Sequence, residues 1–210
     1  MKKSEVFSEI AHEMKALGFK RRRSNYEYLL DLGNGYEGWC SFADAVKGER
    51  SALWVATFVG VRCAEIEERI LKWCGEVVPG WDRRSYVATV SMNTGYLTPR
   101  VRWLEHRIDL TEESAGRVVA PIIADVTEVV IPFFQQHTSH SAMISVLQHG
   151  QGQLADRILE RLPIAMYLQG DIEGAYRALA KMKQRVDDGA YLAPRYLRFI
   201  GEFESEFPAK

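Results

Sequence analysis

Apolar and polar residues alternate at spacings of three and four over the start of the chain, which is the period of an amphipathic helix. The apolar positions are Val6, Phe7, Ile10, Met14 and Leu17. Ser4 is a candidate N-cap, and Gly18 is a candidate stop because glycine readily adopts the left-handed conformation that ends many helices. The pattern therefore predicts a first helix that ends at Gly18 and buries one face.

The period changes to two after this helix. Apolar and polar residues alternate from Tyr26 to Leu32, and the chain returns through residues 36–42 after the tripeptide Gly33-Asn34-Gly35. Alternation of this kind is typical of a strand with one buried face. Glycine and asparagine accept the positive φ angles that a tight turn requires. These residues predict a β-hairpin.

The next segments extend the predicted sheet. Residues 52–61 are apolar on both faces, which predicts a central strand covered on each side by the chain's own helices or by a second subunit. Helical spacing resumes at Ile66 and ends near Gly75. Two further strands are predicted at residues 86–92 and 101–108. The strands together predict an antiparallel meander.

The pattern is helical from Thr111 onward. Thr111 is a candidate N-cap for a helix whose residues 118–130 are apolar over much of the surface, so this helix is expected to be buried. Pro132 is expected to kink or end it just before Phe133, because proline lacks the backbone N–H that a helix needs.

Further helices are predicted in the remainder of the chain. Segments 162–168 and 175–182, separated by Gly170-Asp171, resemble one tetratricopeptide-type helical hairpin. A single copy does not make a repeat array, because roughly three are needed to bury a continuous core. A last helix over residues 191–203 is expected to turn four side chains inward. These are Tyr196, Leu197, Phe199 and Ile200.

Taken together, these elements predict an α+β fold. Residues 1–135 are expected to form a domain with an N-terminal helix, packing helices and an antiparallel meander sheet of about five strands. Residues 136–210 are expected to form an all-helical extension packed on it, either as a second domain or as part of a single one.

Composition narrows the class of protein. The chain has 210 residues, of which 47% are hydrophobic, so it can bury a substantial core. Its 27 basic and 28 acidic residues nearly cancel, which removes the long-range attraction that non-specific nucleic-acid binding requires. Three widely spaced cysteines favour reduced thiols over a disulfide framework. No signal peptide and no membrane-spanning run is recognised, so a cytoplasmic protein is predicted.

The densest polar cluster follows the first helix and contains Lys20, Arg21, Arg22 and Arg23. Guanidinium groups form bidentate contacts with carboxylates and phosphates, so this cluster is a candidate site for an acidic partner, the alternative being a solvated charge run. Trp81 lies in a Pro-Gly turn and is the tryptophan that a core explains least. Arg21, Arg22, Arg23 and Trp81 are therefore the predicted partner-binding residues.

No catalytic residue, metal site or cofactor is predicted. The chain contains neither a Gly-x-Ser-x-Gly elbow nor the glycine-rich patterns of phosphate loops. His137 and His140 are close in sequence, but no cysteine or acidic motif of the usual spacing completes a set of four zinc ligands. Cys40 is interpreted as a small buried hydrophobic residue within a strand.

The Leu17-Gly18-Phe19-Lys20 corner, the strand with Tyr26 and the helical tail over residues 162–179 resemble a group of uncharacterised bacterial proteins classed as domains of unknown function. Members often begin with a helix that ends in Gly-Phe-Lys and a strand that bears an aromatic residue. Some are similar to immunity proteins encoded beside polymorphic toxins. The resemblance implies a binding protein and brings no family catalytic residues.

The leading hypothesis is a non-catalytic cytoplasmic protein-binding protein, in its most specific form an immunity protein that occludes a bacterial toxin domain. One alternative is a small-molecule or metal-dependent enzyme with a site between the sheet and the helical tail, using His106, His137 or His140 as base or ligand. Another is an RNA-binding module that uses the basic cluster with Tyr26 and Tyr28. The partner's identity and the oligomeric state stay open.

Overall fold

A computed structural model describes residues 1–22, 26–45, 51–76, 86–99, 102–150 and 155–209, with side chains from residue 157 in the last range. The helices are α1 (Lys3–Ala16), α2 (Ala64–Cys74), α3 (Ala115–Asp125), α4 (Ile131–Gln136), α5 (His140–His149), α6 (Ala155–Gln169), α7 (Ile172–Asp187) and α8 (Ala193–Glu206). The strands are β1 (Lys20–Arg21), β2 (Glu27–Gly33), β3 (Tyr36–Ala45), β4 (Ala52–Cys63), β5 (Val90–Asn93) and β6 (His106–Asp109). The predicted α+β class with a helical C-terminal part is confirmed.

The described residues form two compact units. Residues 1–61 and 91–136 make up the first unit, and residues 62–90 and 137–210 make up the second. Helix α2 therefore belongs to the same unit as the C-terminal helices α5 to α8, whereas the sequence-based division groups it with the sheet.

Helix α1 ends in a Schellman motif. The N–H of Gly18 donates to the carbonyl of Lys15, and the N–H of Phe19 donates to the carbonyl of Met14, both at 3.0 Å. Gly18 has a φ of 88°, the left-handed conformation that its predicted role as a helix stop requires. Phe19 and Met14 are both buried, so the motif carries the chain from the helix into the sheet without exposing apolar surface.

Two predicted N-caps are wrong. Ser4 lies inside the first turn of α1. Helix α3 begins after Ser114, whose hydroxyl oxygen accepts a hydrogen bond from the N–H of Arg117 at 3.4 Å. Thr111 instead donates both its N–H and its hydroxyl to one oxygen of Asp109, at 2.9 and 2.7 Å. Asp109 thus forms a local turn that competes with helix initiation.

The predicted hairpin is confirmed. Strands β2 and β3 are joined by the two-residue loop Asn34-Gly35, with φ angles of 52° and 79°. Positive φ at both loop residues is the type I′ geometry that matches the twist of the flanking strands. The register shifts between Asp31 and Gly33, and Gly33 supports this irregularity with a φ of 77°.

The sheet has six described strands in the order β1-β2-β3-β4-β5, and β6 also pairs with β4. Strand β4 is buried on both faces along most of its 12 residues, as predicted for a central strand. The short edge strand β1 is not predicted from the sequence. It pairs antiparallel with β2, which places Lys20 opposite Leu29 and Arg21 opposite Tyr28. Half of the predicted basic cluster therefore lies on a sheet edge.

Strands β5 and β6 are shorter than predicted, with four residues each. Strand β5 starts later than predicted, at Val90, and runs to Asn93, whereas the late start of β6 is due to Asn93. Its side-chain oxygen accepts the N–H groups of Gly95 and Leu104 at 3.0 and 2.8 Å, and its amide nitrogen donates to the carbonyl of Leu104 at 3.0 Å. These bonds start a 3₁₀ turn over Thr94–Leu97 and hold the residues that follow it, so pairing resumes only at His106.

Helices α3 and α4 are joined by a π-helical turn over Val126–Val130, so helical backbone runs from residue 115 to residue 136. The helix therefore does not end at Pro132, and the alternative that Pro132 kinks it stays a prediction. The π turn lies directly before this proline and changes the hydrogen-bonding pattern at the point where the proline N–H is missing.

The expectation that this helix is buried over much of its surface is also wrong. One stripe is buried, formed by Val119, Ile122, Val126 and Val130. The helix has 22 residues and contains an 18-residue stretch with a mean hydropathy of 1.6, so it is long and apolar enough to cross a membrane, contrary to the sequence-based expectation. One such helix is weak evidence for a span, because core helices of soluble proteins meet the same requirement.

The helical hairpin predicted in the C-terminal part is present as α6 and α7. Gly170 adopts a φ of 93°, and the carboxylate of Asp171 caps α7 by accepting the N–H of Gly174 at 2.8 Å. In α8 the buried residues are Tyr196, Phe199, Ile200 and Phe203. Leu197, predicted to point inward, is 58% exposed because it lies one residue, and so about 100° around the helix, from Tyr196.

Candidate functional site

The corner between α1 and β1 encloses a cavity of about 520 Å³. It is lined by Ala11, Lys15, Gly18, Phe19, Lys20, Arg21 and Tyr28. The Schellman turn brings Lys15, at the end of the helix, and Lys20, at the start of β1, to the same bend of the chain. We refer to Lys15, Lys20 and Arg21 as the cationic corner.

The charges of the cationic corner are not neutralised by neighbours. All three side chains are exposed, and no carboxylate among the described residues forms an ion pair with Lys15, Lys20 or Arg21. The end of a helix normally presents free carbonyls that repel anions. Here the carbonyls of Met14 and Lys15 already accept the hydrogen bonds of the Schellman motif. With respect to the part of the chain that the structure describes, the corner is therefore a site of unpaired positive charge.

Arg21 is held in place by an aromatic stack. Its guanidinium carbon lies 5.7 Å from the centroid of the Tyr26 ring. The Tyr26 ring stacks on Phe7, with centroids 3.6 Å apart and an interplanar angle of 14°. A cation–π contact restricts the side chain while leaving the guanidinium N–H groups free to donate. Tyr26 thus restricts the Arg21 side chain, and no carboxylate of the described residues forms an ion pair with it.

Tyr28 contributes the buried polar group of the cavity. The residue is 1% exposed, and its hydroxyl has no hydrogen-bond partner among the residues that the structure describes. Its ring packs edge-on against Phe42 with centroids 5.6 Å apart. Burial raises the pKa of the Tyr28 hydroxyl, and the positive charge of Arg21 offsets part of this rise. The hydroxyl is therefore protonated at neutral pH.

The predicted partner-binding residues have different surroundings. Arg21 belongs to the cationic corner and is exposed. Arg22 donates a hydrogen bond to the carboxylate of Glu27 at 3.1 Å and is 25% exposed, so its charge is paired within the chain. Arg23 and Trp81 lie outside the described residues. The contact roles of all four residues stay predictions.

Among the described tryptophans, Trp103 is the most exposed, with 49% of its surface accessible. It packs edge-on against Phe58, with ring centroids 5.2 Å apart. The sequence gives little warning of this exposure, because Trp103 lies within the segment predicted as a strand. In the structure Trp103 lies in the irregular residues just before β6.

Sequence reasoning missed Lys15 as a member of the site, and it names Tyr28 only as a stacking ring in the RNA-binding alternative. A basic residue in the last helical turn before a glycine stop is the signal that points to Lys15. Tyr28 follows the alternation of a core strand, and its ring does lie in the core. Whether its hydroxyl finds a partner depends on residues far away in sequence, so no local pattern indicates it.

His106 forms a close pair in the first unit. Its Nε2 atom lies 2.6 Å from a carboxylate oxygen of Asp125, and both side chains are about one-fifth exposed, at 20% and 22%. A carboxylate beside an imidazole fixes the orientation of the ring. The pair therefore also joins β6 to α3.

In the second unit, the Nε2 atom of His140 lies 3.7 Å from a carboxylate oxygen of Glu65 and 3.8 Å from the sulfur of Cys63. His137 is half-buried. Within the described ranges, no group of three or more histidine, cysteine, aspartate or glutamate residues is placed to hold a metal ion.

No protein-family model, no curated protein and no solved structure matches this chain. The resemblance to proteins with domains of unknown function and to toxin immunity proteins therefore stays a prediction.

Proposed function

We propose that this is a non-catalytic binding protein that recognises an acidic surface of another protein through its cationic corner. The observation that carries the proposal is the set of three exposed cations without carboxylate partners among the described residues, placed beside a cavity. Surface charges of a monomeric protein are usually interspersed, so a local excess of one sign favours a partner of the opposite sign.

The corner has features that interface anchors share. Arginine is enriched at the centres of interfaces, and its planar group binds carboxylates through two parallel hydrogen bonds. Arg21 is already ordered by Tyr26, so less side-chain entropy is lost when a partner binds. The Schellman turn and the paired strand hold the backbone on both sides of the cavity. A partner therefore meets a preformed surface.

The specific form of this proposal is an immunity protein that occludes a toxin domain in the cytoplasm. Occlusion requires a complementary surface and no bond-making chemistry, and an acidic patch on the toxin would complement the cationic corner. The resemblance of the Leu17-Gly18-Phe19-Lys20 corner to that of proteins related to immunity proteins supports the same form.

The experiment is a binding and protection assay with the proteins encoded by the neighbouring genes. Each is co-expressed with this chain, and complex formation is measured by co-purification and calorimetry. Arg21→Glu, alone and with Lys20→Glu, is expected to weaken the complex at least tenfold, because it replaces attraction by repulsion. Arg117→Glu is the matched control, since Arg117 is 79% exposed and lies at the start of α3, where a carboxylate suits the helix dipole.

Retention of full affinity by the Arg21→Glu/Lys20→Glu variant would contradict the assignment of the corner. Failure of every neighbouring gene product to bind the wild-type chain, together with failure to protect cells from any of them, would contradict the immunity function.

A further inference from the structure

We infer that the cavity among α5, α6 and α7 binds a small carboxylate with an apolar tail, with Lys181 and Arg177 of α7 as its cations. The cavity has a volume of about 390 Å³, and its lining residues all belong to the second unit, whereas the cationic corner belongs to the first. This inference goes beyond the proposed function and does not depend on it.

Small residues of α7 leave space beside α6. Gly174 and Ala178 are one helical turn apart, so they share a face of α7, and both are buried and line the cavity. A Cβ atom at position 174 would clash with the carboxylate of Asp171, which caps the helix. The helix cap therefore requires glycine at a position where a larger side chain would fill the cavity.

The apolar surface of the cavity comes mainly from α6. Its four lining residues recur at spacings of three and four, so they form one stripe of the helix: Ile158, Leu159, Leu162 and Met166. Ile158 and Leu159 are half-buried, so part of their apolar surface is still accessible. A volume of about 390 Å³ between packed helices lies in the range of small-ligand sites. This stripe is suited to an apolar tail.

The positive charge of the cavity comes from α7. Lys181 is exposed, and no carboxylate among the described residues forms an ion pair with it. Arg177 pairs with Glu173 on the same helix, but their side chains are 66% and 83% exposed, and such surface pairs are weak. The guanidinium of Arg177 can therefore donate to a ligand as well.

The positions of the charges fix the orientation of the ligand. Asp171 is the acidic residue of the lining, and the rise of a helix places it about 15 Å from Lys181 along the axis of α7. A carboxylate is therefore expected at the Lys181 end. Because α6 and α7 form an antiparallel hairpin, this end lies beside Ile158 and Leu159 at the start of α6. The tail is expected to follow the apolar stripe from there.

A small ligand fits this arrangement better than an acidic protein segment. Aspartate and glutamate side chains carry only short apolar stems behind their carboxylates, so they would leave the stripe on α6 uncovered. A fatty-acid-like molecule joins one anionic head to a continuous apolar body, which matches cations on one helix and apolar residues on the next.

The test uses the full-length protein and three probes: octanoate, acetate and 1-octanol. Binding is measured by calorimetry and by amide chemical shifts of α5, α6 and α7. Octanoate is expected to bind saturably with a dissociation constant of about 1 mM or lower. Acetate lacks the tail and 1-octanol lacks the charge, so each is expected to bind at least about tenfold more weakly.

Variants assign the two parts of the ligand to their residues. Lys181→Gln is expected to weaken octanoate about fivefold and to leave 1-octanol unchanged, because it removes a charge from an exposed position. Leu159→Asn is expected to weaken both probes. Lys183→Gln is the matched control, since Lys183 is an exposed lysine of the same helix that pairs with Glu204 and does not line the cavity.

Absence of saturable octanoate binding, or equal affinity for octanoate and 1-octanol, overturns the carboxylate site. An equal loss in Lys181→Gln and Lys183→Gln overturns the assignment of the cation. An amidated helical peptide with glutamates on one face and leucines on the other is also measured, and displacement of octanoate by this peptide at lower concentration overturns the small ligand as occupant. Arg21→Glu, which tests the proposed function, is expected to leave octanoate binding unchanged, so the two proposals fail separately.

Discussion

Arg161 of α6 donates two hydrogen bonds to the carboxylate of Glu67 in α2, at 2.8 and 2.7 Å, and neither side chain has any exposed surface. The residues are 94 positions apart in sequence. Burying two charges is unfavourable in itself, and the bidentate geometry offsets that cost only while both partners are present. This pair therefore fixes how α2 packs on α6 within the second unit.

Arg161→Met is expected to destabilise the protein by about 3–5 kcal/mol, because it leaves the carboxylate of Glu67 buried without its partner. The double variant Arg161→Met/Glu67→Leu is expected to recover most of this loss, since it removes both charges. Urea unfolding followed by circular dichroism measures both. A loss below about 1 kcal/mol in the single variant would contradict the burial of the pair.

Gly38 in β3 lies under the ring of Phe134 in α4. A Cβ atom at position 38 would stand 2.6 Å from the Cδ2 atom of that ring, so Gly38→Ala must displace it. We expect a loss of about 1–3 kcal/mol in the free energy of unfolding, measured by urea denaturation. Gly201→Ala in α8 is the control, because no heavy atom lies within 4 Å of its added Cβ. It is expected to gain up to about 1 kcal/mol. An equal effect at both positions would contradict the close approach.

Cys74 is expected to make stability fall at alkaline pH. Burial raises the pKa of its thiol from 9.0 to about 11, and the charge of Arg195 lowers it by a smaller amount. The unfolded chain therefore loses this proton at lower pH than the folded protein. The contribution is fully present below pH 9.0 and is lost as the pH rises through about 11. Cys74→Ala should flatten the decline in unfolding free energy over this range, and an unchanged slope would argue against a buried thiol.

Glu206 is expected to make the stability of the protein fall at acid pH. Its carboxylate accepts hydrogen bonds from Lys72 and Trp73, at 2.9 and 3.2 Å, and from Arg69 at 2.9 Å. Partial burial raises its pKa, but the hydrogen bonds from Lys72 and Trp73 and the nearby positive charges lower it overall. The folded pKa lies below the unfolded value, so the stabilisation is present above the ordinary value of 4.5 and is lost as the pH falls through the folded pKa.

Glu206→Gln is expected to weaken stability at neutral pH and to reduce its dependence on pH below 4.5, measured by urea unfolding across an acid series. Glu204→Gln is a suitable control, because Glu204 is an exposed carboxylate of the same helix that pairs with Lys183. A variant at 206 that keeps the full acid dependence of the wild type would show that this carboxylate is not the group responsible.

Local patterns predict the elements whose geometry is set by a few neighbouring residues. Gly18 and Gly75 end helices in the left-handed conformation, and Asn34-Gly35 forms the hairpin loop, because these residues accept positive φ wherever they occur. The same patterns fail where a distant group competes. Asn93 bonds to Leu104 and delays the start of β6, which no period of hydrophobic residues can indicate.

The residues of the candidate site also divide into those that the sequence indicates and those that only the fold brings together. The sequence indicates Arg21 and Arg22 because both belong to a run of basic residues. In the structure Arg22 forms an ion pair with Glu27. Lys15 and Tyr28 enter the site through the fold, which brings the end of a helix and the middle of a strand to one cavity. Their roles depend on which polar atoms are left without partners.

The sequence by itself determined the α+β class, the first helix and its glycine stop, the hairpin and the helical C-terminal part, since backbone preferences and hydrophobic periods act over short distances. Packing of the elements decided that Glu67 pairs with Arg161, that the long apolar helix buries only one stripe, and that the Tyr28 side chain is buried. Those features depend on side chains far apart in sequence, and their burial and charge are set only when the elements pack.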